Sequence, residues 1–263
     1  MKLLIQILVL LLPAYSIAQQ NPYMELWNKE QIDSLRLIWN KTTNDTVRMA
    51  AARSLGFYYQ ERNRDSGLYF NEQQALLARQ LKLRLWEGDA LDQIGCVTAG
   101  LKDYGRSLQA FLDGLEILKD KEAEKNIWRL SIFSKEGNPG IARLTAVGYI
   151  HNDLSILYLG TGNFQEAISN LQQAIKINER INFPSLLSDA NGNLGRAYIN
   201  LNKLDSALIF TQKAIHFSNV SEMQKNKGGW LYNIGVIYQK KGNTDLPNNT
   251  LPNLLRLASN KII

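Results

Sequence analysis

The sequence predicts an all-α protein built as a solenoid of about five helix–turn–helix units, each of about 40 residues. A six-residue segment recurs along the chain, and a second pattern of small and apolar residues follows most of its copies at a fixed distance. Tyrosines stand at 158, 198 and 238 in three of these copies, which is a period of 40 residues held twice. Self-similarity at a fixed period of this size is typical of stacked repeat architectures.

The first copies of the pattern predict one helix in each unit. They are Ser54–Tyr59, Gln93–Thr98, Asp153–Tyr158, Asn193–Tyr198 and Asn233–Tyr238. Each has Leu or Ile at its second position, and in most copies a tyrosine follows four residues later. Residues at i and i+4 lie on one face of a helix, so these side chains are expected to be buried together.

The second half of the pattern predicts a partner helix. Ser107, Ala167 and Ala207 each follow the Leu or Ile of their own unit by 13 residues. Further small residues follow seven positions later in each case. Small side chains at this spacing on one helix face let two helix backbones approach closely. Together the two halves define a repeat array over residues 45–242.

Two segments flank or interrupt this array. Before it, residues 19–44 are predicted to hold a capping helix, over Met24 to Trp39, and a loop. The wider spacing between the second and third copies indicates an insert at residues 121–140. We expect it to form a helical turn or short helix with a loop. Trp128 in this insert is interpreted as a core residue rather than as a binding residue. After the array, residues 243–263 carry Pro247 where a helix is expected, so this tail is either a short improvised cap or the result of truncation or a shifted reading frame.

The N-terminus has the layout of a secretory signal peptide over residues 1–18. Lys2 is followed by an apolar run from Leu3 to Leu12, and Ser16 and Ala18 suit a cut before Gln19. A membrane anchor or a buried helix is the alternative. No later segment reaches 18 apolar residues, so we expect a mature chain that is extracytoplasmic, periplasmic or secreted, and does not span a membrane.

Composition excludes several classes of protein. Hydrophobic residues make up 45% and charged residues 21% of 263, which argues against a disordered, collagen-like or multi-span membrane chain. A single cysteine and two histidines leave little material for disulfide, zinc or acid–base chemistry. Since phosphate-loop and nucleophile motifs are also missing, we expect no enzyme activity, no cofactor and no metal. Cys96 is either a small buried residue or a reactive thiol.

The repeating pattern resembles the tetratricopeptide repeat family, whose units combine a Leu-Gly-x-x-Tyr first helix with a second helix marked by alanines. The resemblance covers residues ~45–242 and matches the family's longer-helix variety. It implies a superhelix whose first helices line a concave groove that binds a protein or peptide. It implies no catalysis.

In that family, the residue before the motif Leu or Ile faces the groove. This position holds Ser54, Gln93, Asp153, Asn193 and Asn233, while Arg196 and Tyr232 would flank the same groove. These polar groups can hydrogen-bond the backbone of an extended peptide, or they can simply form a solvated polar face. The lysine with which some family members clamp a terminal carboxylate is missing, since Asn152, Gly192 and Tyr232 occupy its place.

The partner prediction combines charge with location. The formal net charge is +6, and from Lys203 onward eight basic residues stand against three acidic ones. Export makes a nucleic-acid partner a poor fit, so this stretch is interpreted as a solvated face or as a surface for an acidic partner or membrane. The sequence does not predict an oligomeric state.

A closer resemblance concerns the N-terminal half. The leader, Asp33-Ser34-Leu35 and the Asn44–Arg48 entry look like the extracytoplasmic input region of Bacteroidetes-type sensor histidine kinases and regulators. The chain is then either a stand-alone exported interaction module or the sensory part of a receptor whose membrane and signalling parts are missing. An enzyme or sugar-binding protein on a helical scaffold is a third hypothesis, and it would need clustered acidic and aromatic residues in the groove.

Overall fold

The fold is described from a computed structural model over residues 28–134, 136–221 and 226–242. The predicted signal peptide, the start of the predicted capping segment and the predicted C-terminal tail lie outside these residues. The chain divides into two compact units, residues 1–150 and 151–263.

Ten α-helices make up the described part of the chain, which holds no β-strand. They are α1 Lys29–Lys41, α2 Asp45–Tyr59, α3 Arg64–Gln80, α4 Arg84–Gly100, α5 Tyr104–Lys119, α6 Pro139–Gly160, α7 Phe164–Arg180, α8 Pro184–Asn200, α9 Leu204–Val220 and α10 Lys227–Lys240. The five copies of the six-residue segment fall in α2, α4, α6, α8 and α10, and helices that are consecutive in the chain pack together in each unit. The predicted all-α solenoid is confirmed.

The same backbone conformation recurs in most of the turns between helices. Lys82, Lys102, Gly162, Asn182 and Asn202 have positive φ values of 56°, 65°, 80°, 50° and 56° just after a helix ends. The following amide then bonds back to a carbonyl five residues earlier, as from the residue after Asn202 to Tyr198 at 2.9 Å. This is the Schellman ending, which satisfies the last carbonyls and reverses the chain. Similar turns therefore produce similar helix pairs.

Glycines of the motif allow the two helices of a pair to touch. A Cβ built on Gly95 would lie 2.6 Å from the ring of Phe111, and one on Gly195 would lie 2.3 Å from Oγ1 of Thr211. Both distances are shorter than real Cβ contacts, so a side chain at either position would force the facing helix or its side chain to move. The small residues predicted on the second helices, Ser107, Ala167 and Ala207, are all fully buried.

In the first unit, helix α1 covers the end of the array. Ile32, Leu35 and Ile38 of α1 pack against Ala51 and Leu55 of α2. Asn28 caps α1, since its side chain accepts a hydrogen bond of 2.9 Å from the Gln31 amide.

A partly buried ion pair joins the first helices of the first two repeats in this unit. Arg53 of α2 donates two hydrogen bonds to Asp89 of α4, at 2.8 and 3.0 Å. The Asp89 carboxylate also accepts one from the Gln74 amide at 2.8 Å.

In the second unit, the core lies between the two helices of each pair. Leu159, Leu171 and Leu194 pack together with four alanines and one isoleucine from α7 and α8. Leu171 and Leu194 have no exposed surface, and burial of such a side chain contributes about 1.5–3 kcal/mol. Because α8 also contacts α10, the first helices of successive repeats are neighbours here.

The predicted insert contains two 3-10 turns, Lys121–Glu124 and Leu130–Ile132, joined by irregular backbone. The last two residues of the predicted insert, Pro139 and Gly140, are the first two residues of α6. Trp128 is half-buried and packs beside Trp86 of α4, with ring centroids 5.2 Å apart.

Candidate functional site

The five polar positions before the motif Leu or Ile differ in exposure. Ser54, Gln93 and Asn193 are 8%, 8% and 5% exposed, whereas Asp153 and Asn233 are half-buried. Three of the five therefore have most of their side chain covered by the protein. Ser54 and Gln93 belong to the first unit and the other three belong to the second, so the second unit holds most of the predicted site.

An amide chain links α6 and α8 in the second unit. The Asn193 amide donates a hydrogen bond of 3.2 Å to Oδ1 of Asn152, and the Asn152 amide donates one of 3.0 Å to Oδ1 of Asp153. Asn152 is 5% exposed. These bonds orient the half-buried Asp153 carboxylate, which can accept hydrogen bonds from amide or amine groups of a ligand.

Arg196 lies one helical turn after Asn193 and is exposed. Within the described residues its guanidinium forms no hydrogen bond and no ion pair. Although the residue as a whole is exposed, desolvation by surrounding protein lowers the pKa of the guanidinium from its ordinary value. Arginine still stays protonated at neutral pH, so the group offers a positive charge with five donors.

Helix α10 carries the most exposed aromatic side chain of the second unit. Tyr232 is 67% exposed, and its neighbour Asn233 is half-buried. On α6, Ile156 is 42% exposed and lies one turn after Asp153. Apolar and polar groups therefore alternate along the first helices of this unit.

The position of α10 is fixed by buried contacts with α8. The Trp230 indole is 7% exposed and donates a hydrogen bond of 3.2 Å to Oγ of Ser188. A Cβ on Gly192 would lie 2.5 Å from the Trp230 ring. The indole therefore fills the place where a side chain at 192 would stand, which explains the glycine at a position that can hold lysine in the family. The Asn226 amide adds a bond of 2.6 Å to Asp189.

In the first unit, the side chain of the predicted groove residue Gln93 forms a hydrogen bond with its neighbour in the chain. Its amide lies 3.4 Å from Oδ2 of the adjacent Asp92, and both residues are buried. Any contact of Gln93 with a peptide stays a prediction.

We call the exposed groups of the second unit the α6–α8–α10 face. It comprises Asp153, Ile156, Asn193, Arg196, Tyr232 and Asn233. The sequence did not point to Ile156, although its place three residues after Asp153 on a helix was a usable signal. The role of Asn152 could not be inferred, because it depends on which neighbouring amide reaches it.

Two segments of the chain match models of the tetratricopeptide repeat family, at residues 152–182 and 188–217. Tetratricopeptide repeats are present in this chain. The matched segments take in the end of α6 with α7, and α8 with most of α9. They therefore include Asp153, Asn193 and Arg196. The comparison with curated proteins gave no match.

Solved structures with these repeats share the fold. BtubC (BKLC) from P. vanneervenii has a TM-score of 0.66 and 14% identity, and the match covers 91% of this chain and 92% of that one. The TPR-like repeats of a Podosopora anserina kinesin light chain give 0.55 and 14%, over 82% and 95%. At these identities the likeness shows the fold alone.

A third similar structure is a Rap protein complexed with Competence and Sporulation Factor. It has a TM-score of 0.64 and 15% identity, and the match covers 88% of this chain. The matched part is 59% of the Rap chain, so this chain spans about three fifths of that protein.

Proposed function

We propose that the chain is a non-catalytic interaction module whose α6–α8–α10 face binds an extended peptide or protein segment. The observation that carries this proposal is Arg196, an exposed cation without a partner in the described residues, beside the oriented groups Asn193 and Asp153.

The chemistry of the face defines the ligand. A carboxylate side chain of the peptide would form a bidentate pair with Arg196, which is a strong and directional contact. Its backbone N–H groups would donate to the Asp153 carboxylate, and its backbone carbonyls would accept from the Asn233 amide. Tyr232 and Ile156 would cover an apolar side chain. Tyrosine and arginine are also the residue types that contribute most to binding at interfaces.

Peptide selection on the full chain tests this proposal. A display library is selected for binding, and hydrogen exchange is then measured with the enriched peptide bound. We expect enriched sequences to contain acidic and apolar residues, and protection to increase in α6, α8 and α10. Enrichment of basic sequences, or protection confined to α3 and α5, would contradict the proposed ligand or its position.

We further propose that the module acts outside the cytoplasm. The leader-like residues 1–18 support this location, and among the described residues no helix has the length and apolar character to cross a membrane. Fusion of residues 1–30 to a periplasm-dependent reporter gives activity if the leader directs export. A fusion that stays inactive and uncleaved would contradict export.

The alternative function is sensory input to a two-component kinase or regulator. It is supported by the resemblance of Asp33-Ser34-Leu35 and Asn44–Arg48 to such input regions. Deletion of the gene is then expected to change transcription of a defined regulon in response to an extracellular peptide. Unchanged transcription with intact peptide binding would favour the stand-alone module.

A further inference from the structure

Residues 121–134, which we call the strap, lie against the first helices of the first two repeats. Trp128, Ile132 and Phe133 of the strap pack on a cluster that includes Met49 of α2 and Trp86 of α4. These are helices of the type that carries the proposed ligand face in the second unit. In the first unit, a segment of the chain itself occupies such a surface.

Trp86 receives the strap through three contacts. Its indole donates a hydrogen bond of 2.8 Å to the carbonyl of Trp128. Its ring lies 5.2 Å from the Trp128 ring and 5.4 Å, edge to face, from the Phe133 ring. One indole therefore binds both a backbone carbonyl and two aromatic side chains of an irregular segment. Backbone hydrogen bonds combined with pockets for side chains are a recurring way in which proteins recognise extended peptides.

Two further contacts fix the strap at its edges. The Phe133 ring lies 5.7 Å below the Arg53 guanidinium, which is itself held by Asp89. The Asn126 amide donates to the carbonyls of Leu81 and Lys82, at 3.2 and 3.1 Å. Arg53 belongs to α2, and Leu81 and Lys82 lie in the turn between α3 and α4.

The strap has little structure of its own. Its aromatic residues are half-buried, in contrast to the fully buried Phe111 of the helical core. The amides of Ile132, Phe133 and Ser134 bond to Arg129 and Leu130, inside the strap. Segments with few buried contacts and local hydrogen bonds open at lower free energy than the core helices around them.

We propose that the strap is an internal ligand, which covers a second peptide-binding surface formed by Met49, Arg53 and Trp86. An external peptide with two aromatic side chains about five residues apart would compete for this surface. Because the strap is tethered, its effective concentration is high, and the surface stays closed to weak ligands. The proposal concerns a different unit from the α6–α8–α10 face and does not depend on it.

The test supplies the strap as a separate peptide. A labelled peptide of residues 124–134 is titrated into the full chain and into a full-chain variant in which residues 126–133 are replaced by eight Gly and Ser residues. We expect the variant to bind at least tenfold more tightly than the wild type. Trp86→Ala in the strap-replaced background should abolish binding. The control Tyr104→Ala/Leu112→Ala, which changes two exposed residues of α5, should in that background bind like the strap-replaced variant itself. If the strap-replaced variant keeps its helical content but binds the peptide no better than the wild type, the proposal is overturned.

If the strap-replaced variant fails to fold, hydrogen exchange on the wild-type chain provides a second test of the proposal. The amides of Ile132, Phe133 and Ser134 are expected to exchange at least tenfold faster than those in the middle of α2 and α4. This result would show that the strap opens while the helices stay folded. If all these amides exchanged together at the rate of global unfolding, the strap would be part of the core and the proposal would fail.

Discussion

The Asn193 amide of α8 donates a hydrogen bond of 3.2 Å to the side-chain oxygen of Asn152 on α6. Both residues are 5% exposed, so the bond lies in a nearly dry environment. It connects the first helices of two successive repeats and continues to Asp153 at 3.0 Å. A single interaction therefore serves both the stacking of the repeats and the orientation of a proposed ligand group.

Removal of this bond should reduce stability. Asn193→Ala leaves the buried Oδ1 of Asn152 without its donor, and we expect the free energy of unfolding to fall by about 1–3 kcal/mol. Asn233→Ala, at a half-buried position, should cost less. Denaturant unfolding of Asn193→Ala, Asn233→Ala, Asn152→Ala and the double variant Asn152→Ala/Asn193→Ala measures the effect. If the two single losses added fully in the double variant, the residues would not be coupled.

Substitution of glycines in the helices should have effects that depend on the atoms facing each glycine. Gly195→Ala places a methyl group 2.3 Å from Thr211 Oγ1 and 3.2 Å from a backbone nitrogen, so a loss of about 1–3 kcal/mol is expected. Gly160→Ala, at the end of α6, meets no described atom within 4 Å and should be neutral or gain up to about 1 kcal/mol. Thermal unfolding of the two variants compares them. Equal effects would contradict close packing at residue 195.

The partly buried ion pair of the first unit should matter more than an exposed one. Arg53 and Asp89 are 17% and 13% exposed, while the Arg106–Glu72 pair is 46% and 40% exposed. Asp89→Ala removes the carboxylate that accepts two hydrogen bonds from the largely covered Arg53 guanidinium and one from the Gln74 amide, and should cost about 3–5 kcal/mol. Glu72→Ala should cost about 1 kcal/mol or less. Chemical unfolding of the full chain gives both values, and a cost below 1 kcal/mol for Asp89→Ala would contradict the assignment.

Acidification should destabilise the second unit through His151. Burial lowers the pKa of this imidazole, and its 2.9 Å bond to Asn170 opposes the shift only in part. The unfolded chain then binds a proton more readily than the folded one. The stabilising contribution is complete above the ordinary pKa of about 6.5 and is lost as the pH falls through that value toward the lower folded pKa.

The variant His151→Gln isolates this effect. Between pH 7.5 and 5.5 its melting temperature should fall less than that of the wild type. The exposed His216 provides the matched control, and His216→Gln should follow the wild-type curve. Identical curves for all three proteins would rule out His151 as the source of the pH dependence.

Local pattern was enough to predict the helices but not the burial of their polar residues. The Leu and Tyr spacing predicted the helices that became α2, α4, α6, α8 and α10, because this periodicity depends on residues within one turn or two. Arg196 and Tyr232 were predicted at the groove and are exposed. The burial of Asn193 depends on α6, 40 residues away, and no local pattern contains that information.

Contacts between residues that are far apart in the sequence could not be predicted either. Gly192 and Trp230 fit together across α8 and α10, yet each looks unremarkable in its own segment. The insert was predicted only as a turn or short helix with a loop. Its contacts with Trp86, 42 residues earlier, follow from tertiary packing of irregular backbone, which has no periodic signature.

The central claim is that Arg196 and Tyr232 bind the ligand. Calorimetric titration of the best selected peptide into the wild type, into Arg196→Gln/Tyr232→Ala and into the control Arg180→Gln/Tyr104→Ala tests it most directly. The control changes an exposed arginine of α7 and an exposed tyrosine of α5. We expect the first variant to bind at least thirtyfold more weakly, a loss of about 2 kcal/mol, and the control to bind like the wild type. Equal affinity for all three proteins would contradict the account.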